Sequence, residues 1–139
     1  YDFVVIDLRN NSGGSVIPTM YMLIEFSTKS QLIGANYYVL TDRTTFSSGV
    51  LSTYMFDKFL NATVIGEPPS GKPNHPTEAK KTQLPNSKIT VRYPTKKGNL
   101  IEIEGNVYEM DYLIEPTFEE YFGKKDIMFY KVLEIEGIL

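Results

Sequence analysis

Hydrophobic and polar positions change period several times along the chain, and each change marks an element. The run DFVVIDL (2–8) is almost continuously apolar and rich in β-branched residues, the pattern of a strand covered on both faces, as in a parallel sheet. RNNSGGS then breaks it. From Val16 the residues Ile17, Met20, Tyr21, Leu23, Ile24 and Phe26 recur at helical spacing, which predicts a helix to about Thr28. ANYYVLT (35–41) reads as a second strand, SSGVLSTYMFDKFL (47–60) as a second helix and ATVIGE (62–67) as a third strand. The resulting β-α-β-α-β order predicts an α/β domain with right-handed crossovers between parallel strands.

Beyond Glu67 the texture changes. PPSGKPNHP (68–76) carries four prolines in nine residues and is incompatible with helix or central strand, so it is expected to be loop. EAKKTQL and KITVRYP, joined by PNS, predict a hairpin with Pro85 and Asn86 in the turn. NLIEIEGNVYEMDYLI (99–114) reads as further extended structure. Thr117 with Glu120 resembles a capping box, and DIMFYKVLEIEG (126–137) predicts an amphipathic C-terminal helix with Asp126 as N-cap.

A chain of 139 residues fits one domain. Its net charge of −3 gives no general attraction to nucleic acid or anionic membrane. The absence of cysteine removes disulfides, thiolate catalysis and cysteine-based zinc sites. The single histidine, His75, leaves no all-histidine metal cluster within one chain. No metal, cofactor or nucleic acid is expected. No apolar run approaches the ~18 residues of a membrane span, since Pro18 and Glu25 interrupt the longest stretch. Tyr1 opens directly on a strand-like run, and the expectation is a partial catalytic domain, residues 1–139, with part of the protein upstream.

Candidate chemistry lies at three junctions. GEPPSGK (66–72) matches the letters of a phosphate-binding loop, but Pro68 and Pro69 have no N–H to offer a phosphate, and Pro73 stands where a metal-binding hydroxyl is needed. TTFSSG (44–49) places Ser47 and Ser48 where a strand gives way to a helix. There Thr45, Ser47 or Ser48 can cap the helix. Alternatively Ser47 is a nucleophile whose oxyanion meets free helix N–H groups and the positive end of the dipole. DLRNNSGG (7–14) ends the first strand on Gly13 and Gly14, which suits either a tight turn or close backbone approach to developing negative charge. Lys72 follows Gly71 in the proline-rich loop and can act as base for a serine if burial lowers its pKa; His75 competes for that role.

VVIDLRNNSGG, VLTDRTTFSSG and TVIGEPPSGK, in this order and at these separations, resemble the catalytic region of the C-terminal processing (tail-specific) serine peptidases. That family includes tricorn-core-like proteases and the modules of interphotoreceptor retinoid-binding protein. The resemblance covers essentially the whole chain. It implies a crotonase/ClpP-like α/β fold with strand-helix repeats, a β-hairpin extension and a C-terminal helix. It also implies a serine endopeptidase acting on polypeptides through an acyl-enzyme, in an extracytoplasmic location. The 25 positions from Ser47 to Lys72 match the Ser/Lys branch, which makes Ser47 the implied nucleophile and Lys72 the implied base. Gly13 or Gly14, with the backbone of Ser48, would form the oxyanion hole. Two positions depart from the family: Val50 stands where an acidic residue is common, and Lys58, beside Asp57, stands where an assisting aspartate is found. In the retinoid-binding-like and tricorn-like branches a histidine upstream of the DLRN strand can be the base. The rivals are therefore a peptidase with its base upstream, and a non-catalytic ligand- or protein-binding module of the same fold.

Overall fold

Apolar residues on alternate positions of the second strand explain the layering. A computed structural model describes residues 1–71, 74, 77–96, 105, 107–123 and 125–139, with the side chains of 77–79 and 96 outside that description. Strands β1 (Phe3–Asp7), β2 (Asn36–Thr41), β3 (Thr63–Gly66) and the short β6 (Tyr112–Leu113) form a parallel sheet in the order β1-β2-β3-β6. Tyr37 and Val39 of β2 face one way, into a cluster with Ile6, Leu8, Phe56 and Ala62. Tyr38 and Leu40 face the other, against Ile65, Met128 and Val132. Helices α1 (Ile17–Thr28) and α2 (Ser48–Leu60) cover the first face, and α4 (Ile127–Ile135) covers the second. Strand order advances in one direction from β1 to β3, so crossovers of one hand place α1 and α2 on the same side. The result is a mixed α/β domain with a parallel sheet between helices. Among the described residues no helix is long and apolar enough to cross a membrane.

Two details differ from the pattern of the sequence, and one extended stretch is described only in part. In α1 only Leu23 and Phe26 pack on the core, whereas Ile17, Met20, Tyr21 and Ile24 are exposed; the inward side of this helix also carries Thr19, whose buried hydroxyl shares a 2.7 Å hydrogen bond with Ser52. The hairpin of β4 (Thr77–Gln83) and β5 (Thr90–Lys96) is wider than the PNS turn suggests. The Lys88 N–H closes on the Leu84 carbonyl at 3.1 Å, with Lys88 at φ 60°, a one-turn helical closure in place of a two-residue turn. Within the stretch 99–114, β6 pairs with β3, while residues 99–104 and 106 lie outside the described residues. The capping box at Thr117–Glu120 forms at the start of α3 (Phe118–Phe122), and Asp126 caps α4 by accepting from the Phe129 N–H.

Candidate functional site at the carboxyl ends of the strands

Parallel strands bring their carboxyl ends to one edge, and the loops after β1, β2 and β3 meet there. Ser47 lies where the loop after β2 enters α2. Its backbone has φ 55° and ψ −117°, outside the regions open to ordinary L-residues and costing on the order of 1–3 kcal/mol unless surrounding structure enforces it. A capping serine needs extended backbone and turns its hydroxyl onto the helix amides. Ser47 does neither: its hydroxyl makes no cap hydrogen bond. The residue is partly exposed, and its Oγ stands at the positive end of the α2 dipole. Ser48 is the first residue of α2, so its amide is among those with no intrahelical acceptor.

The loop after β1 is fitted around this serine. A Cβ at Gly13 would lie 2.6 Å from Ser47 Cβ and 2.8 Å from the Phe46 carbonyl oxygen, and Gly13 has φ 103°. Only glycine satisfies both the conformation and the contact. Asn11 fastens the two segments: its carbonyl accepts from the Phe46 N–H at 2.9 Å, and its Oδ1 accepts from the Gly13 N–H at 2.9 Å. The Gly13 amide is therefore already engaged, and this glycine serves close packing. Gly14, at φ 131° with open space around its Cβ position, is the glycine of the pair that faces outward.

A second layer holds these loops. The fully buried Thr45 donates its Oγ1–H to the Leu8 carbonyl at 2.8 Å and accepts from the Asp42 N–H at 3.1 Å. Asp42 accepts from the Asn10 amide, the Thr44 amide and hydroxyl, and the Thr45 amide. Burial alone would raise the Asp42 pKa, but the Thr44 hydroxyl and the three amides outweigh it and hold the carboxyl below its usual range. The loop after β3 joins through Ser70, whose N–H donates to the Thr45 carbonyl at 2.9 Å, while Thr41 Oγ1 donates to the Glu67 carbonyl at 2.8 Å. Gly71 then abuts the Phe46 ring, 3.1 Å from a Cβ placed on it. Lys72 and His75, the two base candidates, lie outside the described residues.

The structure thus brings Gly13 against Ser47 and the Phe46 carbonyl, with Ser48 opening α2 beside them, and runs the chain to Gly71 beside the Phe46 ring. Asn11, Thr45 and Asp42 were not visible as site residues in the sequence, because each acts through backbone groups whose neighbours are set by the fold; the Asx-turn character of Asp42 in TDRTT was the one local signal. Val50, three positions after Ser47, is buried with Val64 and Tyr108. Asp57 accepts from the Tyr108 hydroxyl at 2.7 Å. Beside this site lies an open cleft of about 370 Å³ lined by Asp7, Asp42, Glu67, Glu120 and Asp126 against Arg9 and Lys125. Within it Arg9 makes paired hydrogen bonds of 2.8 and 2.7 Å to Asp126, and bonds to Asp7 of 2.9 and 2.6 Å.

No protein-family model and no curated protein matches the chain. Among solved structures it is similar to a lipoprotein from Streptococcus agalactiae, with 14% identity and a TM-score of 0.46 over 94% of this chain and 55% of that one. The chain thus spans about half the length of that protein, and a likeness at this level carries no argument about activity.

Proposed function

We propose that this chain is the core of a serine peptidase of the C-terminal processing type, with a crotonase/ClpP-like fold. The observation that carries the reading is Ser47: a strained, non-capping serine at a helix N-terminus, with Gly13 packed beneath it. Ser47 Oγ attacks the peptide carbonyl, and its proton passes to neutral Lys72, which returns a proton to the leaving amine. Water then hydrolyses the acyl-enzyme by the same proton path. The developing oxyanion is met by the amides of Gly14 and Ser48, since the Gly13 N–H is held by Asn11. The substrate is a polypeptide and the setting extracytoplasmic.

A fluorophosphonate probe tests this directly. Wild-type protein labels, Ser47→Ala does not, and Lys72→Ala labels far more slowly at neutral pH. Labelling unchanged in Ser47→Ala removes Ser47 from the reaction. Burial of Val50 at the family's acidic position favours a second reading, a peptidase with an upstream histidine base or a non-catalytic binding module. Labelling retained in Lys72→Ala but lost in Ser47→Ala indicates the upstream base, and no labelling of wild type on the full-length protein indicates the binding module.

A further inference from the structure

We propose that helix α1 is the surface through which two copies of this chain pair, face to face about a two-fold axis. The helix is apolar on two opposite sides. Leu23 and Phe26 pack on the core, and the buried Thr19 hydroxyl meets Ser52 of α2. At about 3.6 residues per turn, Ile17, Met20, Tyr21 and Ile24 fall together on the far side, where they are 56%, 51%, 67% and 58% exposed. A helix with apolar residues on both sides belongs between two layers. The body of the domain supplies one of them.

Charge narrows the choice of occupant. Residues 15–28 hold a single charged side chain, Glu25, and it is neutralised by an ion pair with Lys29 one turn on. A helix lying on a lipid surface carries Lys and Arg along its polar side, whereas α1 has neither within its span and its other side packs on protein. What suits the stripe is an equally uncharged apolar surface, and the stripe matches itself. Its order, Ile-Met-Tyr-Ile at 17, 20, 21 and 24, is symmetric in spacing about the midpoint between Met20 and Tyr21. A two-fold axis there sets Met20 against Tyr21 of the second copy and Ile17 toward its Ile24, a contact that closes on itself. Ile17–Tyr21 and Met20–Ile24 are neighbouring ridges of i, i+4 spacing, which interdigitate between helices crossing at about 50°. Area agrees with this. At roughly 200 Å² for a fully exposed large side chain, the four expose on the order of 450 Å² per copy. With Glu25 and Thr28 at the rim, a pair closes over about 1,000 Å², the lower end for a specific interface. The dimer is therefore reversible.

Sedimentation of the full chain across protein concentration tests the pairing. Wild type is expected to pass reversibly from monomer to dimer as concentration rises, and the dimer to persist in high NaCl, since apolar burial rather than charge holds it. Met20→Lys alone and Tyr21→Glu alone should each raise the dissociation constant at least tenfold, with unchanged circular dichroism because both side chains face solvent in the single chain. An equimolar mixture of the two variants should recover dimer, because the ammonium introduced in one copy meets the carboxylate introduced in the other. Phe59→Ser, on α2 and 69% exposed, should leave the dimer as it was. A wild type monomeric up to millimolar concentration, a dimer indifferent to both α1 substitutions, a mixture that stays monomeric, or a dimer lost equally in Phe59→Ser overturns the proposal. A monomer that binds phosphatidylcholine vesicles through Tyr21 overturns it as well, by assigning the stripe to lipid. None of these readouts involves Ser47, so the outcome is independent of peptidase activity.

Discussion

Ser47 holds a backbone conformation that most side chains resist, and that cost should be measurable. Replacing it with glycine relieves the strain at φ 55°, so Ser47→Gly is expected to raise stability by about 1 kcal/mol while abolishing fluorophosphonate labelling; a lower melting temperature would contradict this account of the backbone. Gly13→Ala has the opposite character. A methyl group 2.6 Å from Ser47 Cβ at φ 103° should destabilise by about 2 kcal/mol or more and slow labelling over a hundredfold, whereas Gly14→Ala meets no atom within 4 Å and suffers backbone strain alone. Thermal melts and labelling rates of the pair separate the two glycines. The sequence located this centre through NNSGG and TTFSSG, because glycine pairs and serines at a strand-helix junction are local signals. It left open which glycine packs on Ser47 and which faces open space, since that depends on Asn11 reaching Gly13 and Phe46 across the fold.

At the scale of elements, α4 is tied to the end of β1 by one residue doing two tasks. Asp126 caps α4 through the Phe129 N–H and receives Arg9 in a paired hydrogen bond. Asp126→Ala should cost about 1–2 kcal/mol in urea unfolding, combining a lost cap with a partly exposed ion pair. Burial by itself would raise the Asp126 pKa, but the Arg9 guanidinium and the helix amides hold it below the usual carboxylate range, as hydrogen bonds do for Asp42. Both carboxyls are then more acidic folded than unfolded. Their stabilisation is complete above the unfolded value of about 3.9 and is lost as pH falls through the folded values. Urea midpoints from pH 5 downward should decline in wild type and decline less in Asp42→Asn; equal slopes would remove Asp42 from the acid response. Elements with a clear period were legible: β1, β2, α2 and α4 all appear where the apolar spacing placed them. The exposed side of α1 was not, because the spacing of Ile17, Met20, Tyr21 and Ile24 is that of a buried stripe whatever covers it. Nor did the extended run before Ile114 disclose that β6 adds parallel to β3, since pairing partners lie far apart in the chain.

Over the whole molecule, tyrosines report on the core. Tyr37 and Tyr38 sit on opposite faces of β2, and Tyr108 joins the cluster over α2 and β3. Desolvation raises all three phenols, with Tyr38 pushed up to about 12 by burial and its bond to Glu136, and Tyr108 raised further by Asp57. Unfolded phenols ionise near 10, so stability held below that value is lost as pH rises through the folded ones. Spectrophotometric titration should therefore show Tyr37, Tyr38 and Tyr108 ionising only above the unfolded value, together with alkaline unfolding; ionisation of these three near pH 10 in the still-folded protein would contradict a closed core.

The seam between Asn11, Gly13 and the Phe46–Gly49 turn has a consequence for anyone who wishes to transplant the site. Segments 7–14 and 42–49 interlock through backbone atoms at contact distance, so neither has a shape of its own to carry into a foreign scaffold. They must be moved as a pair, in register, or the graft will hold a serine without its cradle.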